Sequence, residues 1–335
     1  MRSSRLHPSL IFIAAPFVVI ITIFLSILYG AKDMELSTIT AALFHFDPDS
    51  IDQQIIWHSR LPRVVGALLI GAFLAVSGAL MQGMTRNILA SPSIMGVSDG
   101  SVVMITVCMI ILPNTTPLGM VLYSLLGSAV GAGIVFALAW LLPGGMAPVR
   151  MAILGTIVGT FLSGAAEAAA AYFQISQNVS FWYHARLHQI DPVMIRTILP
   201  FGLAGLILAL LLARSITVLS MGDEVAAGLG QRTLWVKVLT VLTVVILTGI
   251  SVALAGKIAF VGLLVPHITR YLVGIDYKWV LPCSAILGGV FLAWCDILSR
   301  FINSPFETPI GVVTAIFGVP FFLYLIKTRG GKQLA

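Results

Sequence analysis

Runs of about 20 apolar residues, separated by short polar or glycine- and proline-bearing stretches, recur along the whole chain. The pattern predicts spans at 10–29, 64–83, 94–112, 118–142, 149–173, 195–213, 234–255, 258–273, 280–298 and 310–326, hence about ten transmembrane helices. Only Gly256 and Lys257 divide the seventh span from the eighth. Two loops on one side are long, 30–62 and 174–194, and 214–233 is the one substantial loop on the other. No polar stretch has the length of a soluble domain, so residues 1–335 read as a single membrane domain. The first span follows Arg2 and Arg5 as a signal peptide would, but its apolar core is too long and no small-x-small cleavage site follows. An uncleaved first helix is the better reading.

Composition supports this class. Of 335 residues, 59% are hydrophobic and 10% charged, against roughly half and a quarter in soluble domains. The fold class is therefore an all-α membrane protein surrounded by membrane lipid. A net charge of +6 could suggest a nucleic-acid partner, but the basic residues are scattered at span ends, which excludes that reading and points to the positive-inside rule. With the N-terminus inside, Arg2, Arg5, Arg86, Arg150, Arg214, Arg232, Lys237, Arg270, Lys278, Lys327, Arg329 and Lys332 are cytosolic. Lys32, Arg60, Arg63, Arg186, Arg196, Lys257 and Arg300 are outside, 12 against 7. Both termini are thus predicted to be cytosolic.

Chemistry-bearing residues are few. The six histidines are dispersed, and His184 and His188, four apart, lie in a loop rich in turn formers, so no metal site or cofactor is predicted. Cys108, Cys283 and Cys295 lie in apolar spans and read as packing residues. There is no Gly-x-x-x-x-Gly-Lys-Ser/Thr loop, hence no ATP site of that kind, and no catalytic constellation. Glu167, among alanines in mid-span, is either a polar lining of a translocation path or a hydrogen bond to a neighbouring helix. Asp296 and Arg300 are spaced for an i,i+4 pair. Asp99 reads as the cap of a broken helix. Arg60, Arg63 and Arg300 are either interfacial arginines snorkelling toward headgroups or a rim that captures a partner's carboxylates. Gly127 with Gly131, and Gly155 with Gly159, have the small-xxx-small spacing of close helix contacts. Gly78–Arg86 weakly echoes Gly262–Arg270.

One polar stretch stands apart. In Gly222–Gly230 (GDEVAAGLG), Gly222 and Asp223 can cap a helix, and Asp223 and Glu224 place negative charge on its positive first turn. Ala226 and Ala227 leave one face small enough for close approach, and Gly228 or Gly230 can end the helix. The stretch reads as a docking element on the cytosolic side.

An ordered set of strings resembles the FecCD-type permeases of iron–siderophore and cobalamin ABC importers. These are Arg60–Arg63 (RLPR), Gly78–Gln82 (GALMQ), Arg86–Val97 (RNILASPSIMGV), Gly222–Gly230, Phe260–Arg270 (FVGLLVPHITR), Asp296–Arg300 and Glu307–Phe322. The likeness runs from about residue 55 to the C-terminus, and is greatest to permeases for catecholate-type siderophores of Gram-positive bacteria. Ile88, where the family often has proline, and Lys257, where it usually has a small or neutral residue, depart from it.

The resemblance implies a type II ABC importer permease with no ATPase site of its own. Its implied partners are an ABC ATPase dimer, a second permease subunit, identical or paralogous, and an extracellular siderophore-binding lipoprotein. It places the ATPase-coupling segment at 219–231, with Gly222, Asp223, Glu224, Ala226, Ala227, Leu229 and Gly230. It assigns Arg60, Arg63 and Arg300 to binding-protein docking and Glu167 to the path, and Pro266 and His267 read as structural, with the proline breaking a helix. The rival reading from a different class is an ion- or proton-coupled secondary transporter using Glu167 and Asp296. A membrane-embedded enzyme is the weakest reading.

Overall fold

The computed structural model of the protein describes residues 7–30, 34–142, 148–185, 187–303 and 306–330. Arg2, Arg5, Lys32, Arg186 and Lys332 of the predicted charge pattern lie outside the described residues. The regular structure within them is helical: α1 (Pro8–Leu28), α2 (Leu36–Phe44), α3 (Ile51–Ile55), α4 (Leu61–Thr85), α5 (Val97–Ile111), α6 (Pro117–Leu141), α7 (Pro148–Tyr172), α8 (Ser176–His184), α9 (Pro192–Leu219), α10 (Asp223–Gly228), α11 (Thr233–Ala255), α12 (Val261–Val273), α13 (Tyr277–Phe301) and α14 (Ile310–Gly330). Seven helical segments are long and apolar enough to cross a membrane, while α5, α12 and α14 form a shorter apolar group.

At the centre stands α4, packed against α13, α11, α12 and α9. Its start differs from the prediction. A single turn of π-helix, Ile56–Arg60, joins α3 to α4, so helix runs from Ile51 to Thr85 and absorbs the end of the predicted outer loop. The wide turn lies directly before Pro62, whose ring would clash with a carbonyl in the preceding regular turn. Arg60 and Arg63 therefore sit on a rigid rod.

Two predicted spans prove to be half-helices preceded by irregular chain. At 15 residues, α5 is about 22 Å long, short of a bilayer core. Its N-cap is Gly96 at φ +72°, so Asp99 falls in the first turn and does not cap the helix as predicted. The break between the seventh and eighth spans is made by Gly256 (φ +80°) and Phe260 (φ +69°), which end α11 and start α12. The irregular stretches lie against each other, Ser93 Oγ donating to the Ile258 carbonyl at 3.4 Å. Non-helical backbone at membrane depth is tolerated where protein covers it, as here.

The echoed segments meet. A Cβ on Gly78 would stand 1.8 Å from the Gly262 carbonyl oxygen, so α4 and α12 touch backbone to backbone. Pro266 does not break α12, contrary to the prediction. Having no N–H, it cannot bond the carbonyl four residues back, Gly262 O, which instead accepts from Gln82 Nε2 at 3.1 Å. His267 stands edge-on to Phe321, ring centroids 5.5 Å apart. The spacing of Gly127 and Gly131 serves the predicted close contact: Cβ atoms there would lie 2.2 Å from the Gly100 and Gly96 oxygens.

Candidate functional site

Three polar groups interrupt the apolar bundle. Two lie at opposite ends of α4, about 35 Å apart from Arg63 to Arg86 by helix rise. The third lies along α7.

At the Arg86 end, α10 fills the connection between α9 and α11. Gly222 precedes it at φ +135°, a conformation that side chains disfavour. Gly230, at φ +79°, reverses the chain after it, and the Gln231 N–H donates to the Ala226 carbonyl at 3.0 Å. Ala226 is fully buried, so it packs inward instead of offering the small outer face predicted for it; Ala227 is exposed. The outward surface belongs to Met221, Val225 and Leu229, 57%, 47% and 69% exposed, with Glu224 beside them. The Leu229 N–H donates to the Val225 carbonyl at 3.1 Å, which puts these two on one face, while Met221 stands before Gly222, outside α10. Sequence reasoning passed over Val225 and Met221, although the spacing of Val225 and Leu229 in a polar loop was a usable signal. Asp223 turns the other way: its carboxylate lies 2.6 Å from Lys237 Nζ on α11 and 3.7 Å from Arg86, the left-handed C-cap residue of α4.

At the Arg63 end, the predicted arginine rim is not an open surface. Arg60, Arg63 and Arg300 are 7%, 7% and 8% exposed. Arg63 clasps Asp296 with Nε and Nη2, at 2.9 and 2.8 Å to Oδ1, and its Nη1 reaches Glu307 at 2.6 Å. Arg300 pairs with Asp296 at the predicted i,i+4 spacing and donates to the Ser26 and Tyr29 carbonyls at 2.7 and 2.8 Å. Arg60 donates to the Ile27 carbonyl. The last carbonyls of a helix lack partners within it, so two guanidiniums here satisfy the end of α1. An open rim was expected from their place at span ends and from the resemblance, neither of which says which groups of other helices face them. Glu307 and His188, both exposed, are the cluster's outward members, His188 Nδ1 lying 3.2 Å from Glu307.

The His188 hydrogen bond, with further help from Arg63, holds the Glu307 carboxyl down at about 2 against an ordinary 4.5. A carboxylate depressed in the folded state contributes stability that is complete above its unfolded pKa and disappears as pH falls through the folded one. Thermal unfolding in detergent should therefore be insensitive to Glu307 from pH 7 to 5 and lose its contribution between about pH 4.5 and 2. Glu307→Gln should flatten that part of the profile.

The third group runs along α7. Ile153, Ile157, Phe161, Gly164 and Ala168 form an exposed stripe, with Glu167 exposed at its edge. Glu167 lines a cavity of about 360 Å³ with Ala170, Ser176, Val179, Ser180 and Tyr183. Beneath it, Lys257 pairs with Asp99, and the Ser163 hydroxyl donates to the same carboxylate at 2.8 Å. The Tyr183 hydroxyl donates to the Ser163 carbonyl at 3.1 Å, and Lys257 Nζ lies 5.8 Å from the Tyr183 ring centre. Lys257, the family departure, thus joins the start of α5 to α7. Among the described residues no cluster of His, Cys, Asp or Glu could hold a metal ion.

Known proteins supply the context for these groups. The FecCD transport family matches residues 18–328. The iron-uptake system permease protein FeuB of Bacillus subtilis (strain 168) is 58% identical over 98% of this chain and 99% of its own. The iron(3+)-hydroxamate import system permease protein FhuB of the same organism is 49% identical over 91% and 79%. A solved structure of a metal-chelate type ABC transporter in an inward-facing conformation superposes with a TM-score of 0.81 at 25% identity, covering 96% of this chain and 100% of that one. With its apolar spans, this kinship makes the chain a multi-pass permease of the bacterial plasma membrane. On the ordered strings and on these matches alike, the chain belongs to the FecCD transport family.

Proposed function

We propose that this chain is the permease subunit of an ATP-driven importer for ferric siderophores, working as half of a permease dimer. A separate ABC ATPase pair supplies the energy through the 219–231 segment, and an extracellular binding lipoprotein delivers the cargo to the Arg63 end. The chain has no ATPase site of its own. Ten membrane crossings with both termini in the cytosol fit this reading, α5, α12 and α14 being the short ones. The cargo class follows the named relatives, iron-uptake and iron(3+)-hydroxamate import permeases; the resemblance in the sequence favours a catecholate. At the binding-protein end, Arg60, Arg63 and Arg300 act by holding α1, α4 and α13 in register under the docking face. The α7 stripe with Glu167 faces the second permease and the path between the two.

The observation that carries this reading is the exposed apolar face of Val225 and Leu229, with Met221 exposed just before it, at a short helix pinned at both ends by glycine. An apolar face at a loop tip suits a protein groove better than water. Val225→Glu with Leu229→Glu should abolish copurification with the ATPase while the permease still inserts and unfolds at its normal temperature. Undiminished copurification would remove that face from the interface. The rival secondary transporter needs Asp296 free to exchange a proton, and Asp296 is clasped by two arginines.

A further inference from the structure

The coupling segment has two faces, and only one is available to a partner. Asp223 sits in the first turn of α10, yet its carboxylate points back into the bundle, toward Lys237 at 2.6 Å and Arg86 at 3.7 Å. The Lys237 pair is the shorter, and Lys237 is also the less exposed of the two cations. Lys237 is one turn into α11, a helix whose middle and far end are buried. From Lys237 to Ala255 it runs about 27 Å without interruption.

At its other end the chain turns at Gly256, where a Cβ would lie 2.6 Å from the Trp182 carbonyl, and the next residue is Lys257. Lys257 meets Asp99 and Ser163, and Ser163 is one helical turn before Glu167 on α7. α11 thus has an ion pair to the docking segment near its start and, two residues past its end, Lys257 paired with Asp99 on α5 and bonded to Ser163 on the helix bearing the exposed stripe. Both pairs are lysine to aspartate, and neither is used by the functional reading above.

We propose that Asp223 is a positioning residue that fastens the docking segment to α11, and that α11 carries the segment's displacement to α7 through Lys257 and Asp99. The Lys257–Asp99 pair suits this because parting it would strand Asp99, whose side chain is 7% exposed, without its counter-charge, and the more exposed Asp223–Lys237 pair is the short contact that ties the docking segment to α11. The proposal rests on the reading of 219–231 as the ATPase-coupling segment and says which side chain docks and which transmits.

The test uses the permease in complex with its ATPase, with Ala168→Cys added as a reporter on the exposed stripe. The three native cysteines are buried. The readout is the ATP-induced change in the rate at which Cys at 168 reacts with a soluble maleimide, which requires no cargo. Asp223→Asn, Lys237→Met and Lys257→Met should each shrink that change by about tenfold. Asp223→Glu, which keeps the carboxylate, should preserve most of it.

Copurification of the ATPase should stay within about threefold of wild type in all four variants. If the two pairs act in series, Lys237→Met with Lys257→Met should lose little more than either alone. Two results would overturn the inference: Asp223→Asn releasing the ATPase as Val225→Glu with Leu229→Glu does, or Lys257→Met leaving the ATP-induced change intact. Retention of the ATPase by the Val225 and Leu229 double variant would instead sink the docking reading, so the two failures are distinguishable. Lys237→Met and Lys257→Met lie off the outward face of α10, so they test transmission even if Asp223→Asn proves unstable.

Discussion

Replacing Asp296 by alanine should be among the most damaging single changes in this protein. Its side chain is 2% exposed and is the shared counter-charge of Arg63 and Arg300, both buried as well. Without it two guanidiniums remain buried side by side, each still attached to backbone or carboxylate groups of other helices. Breaking a buried pair from one side costs about 3–5 kcal/mol, because an uncompensated charge is left behind. Here Arg300 loses its carboxylate partner and Arg63 keeps only Glu307, so a loss within that range is expected. Asp296→Asn keeps an acceptor but not the charge and should fall between. Arg300→Met should be milder, since Asp296 keeps its bidentate bond to Arg63, though the Ser26 and Tyr29 carbonyls lose a donor. Unfolding in detergent ranks the three; equal melting of Asp296→Ala and wild type would show that the cluster does not hold α1, α4 and α13 together.

The second large effect is steric. At Gly78 the first side-chain carbon would occupy the position of the Gly262 carbonyl, 1.8 Å away. The obstruction is backbone, which no rotamer change relieves. Gly78→Ala should cost about 3 kcal/mol or more, the upper end of the overpacking range, and Gly78→Val more again. Forcing α4 from α12 also parts Gln82 from the Gly262 and Leu263 carbonyls, leaving the group freed by Pro266 without its donor. Gly133, on α6, has open space around its would-be Cβ, so Gly133→Val provides the control and should melt close to wild type. Similar losses at Gly78 and Gly133 would contradict the backbone contact.

Much of this architecture was legible in the chain because long helices write themselves as apolar runs. The predicted spans 118–142 and 234–255 differ from α6 and α11 by a residue or so at their ends. The starts of the half-helices were less legible: Ile94, Met95, Ile258, Ala259 and Phe260 are apolar, so hydropathy counts 94–96 and 258–260 into the helices they precede. What betrays them is the left-handed backbone at Gly96, Gly256 and Phe260. Glycine alone is an ambiguous signal among 31 of them. The i,i+4 pairing of Asp296 with Arg300 was readable because helical geometry fixes it locally. The Arg63 bond to Asp296 was not, since it closes across 233 residues and only the packing of α4 on α13 brings it about. Within 222–230, glycine punctuation located the helix, but which face turned inward depended on Arg86 and Lys237, contributed by other helices.

The central claim is that the energy for transport comes from ATP through a separate protein. Its most direct test is uptake into proteoliposomes containing the permease and its ATPase, with binding protein and a radiolabelled ferric tricatecholate outside. The account predicts accumulation that requires ATP inside, disappears with a hydrolysis-deficient ATPase or with Val225→Glu and Leu229→Glu, and persists when ion gradients are collapsed. Accumulation without ATP, abolished by a protonophore and by Glu167→Gln, would contradict it.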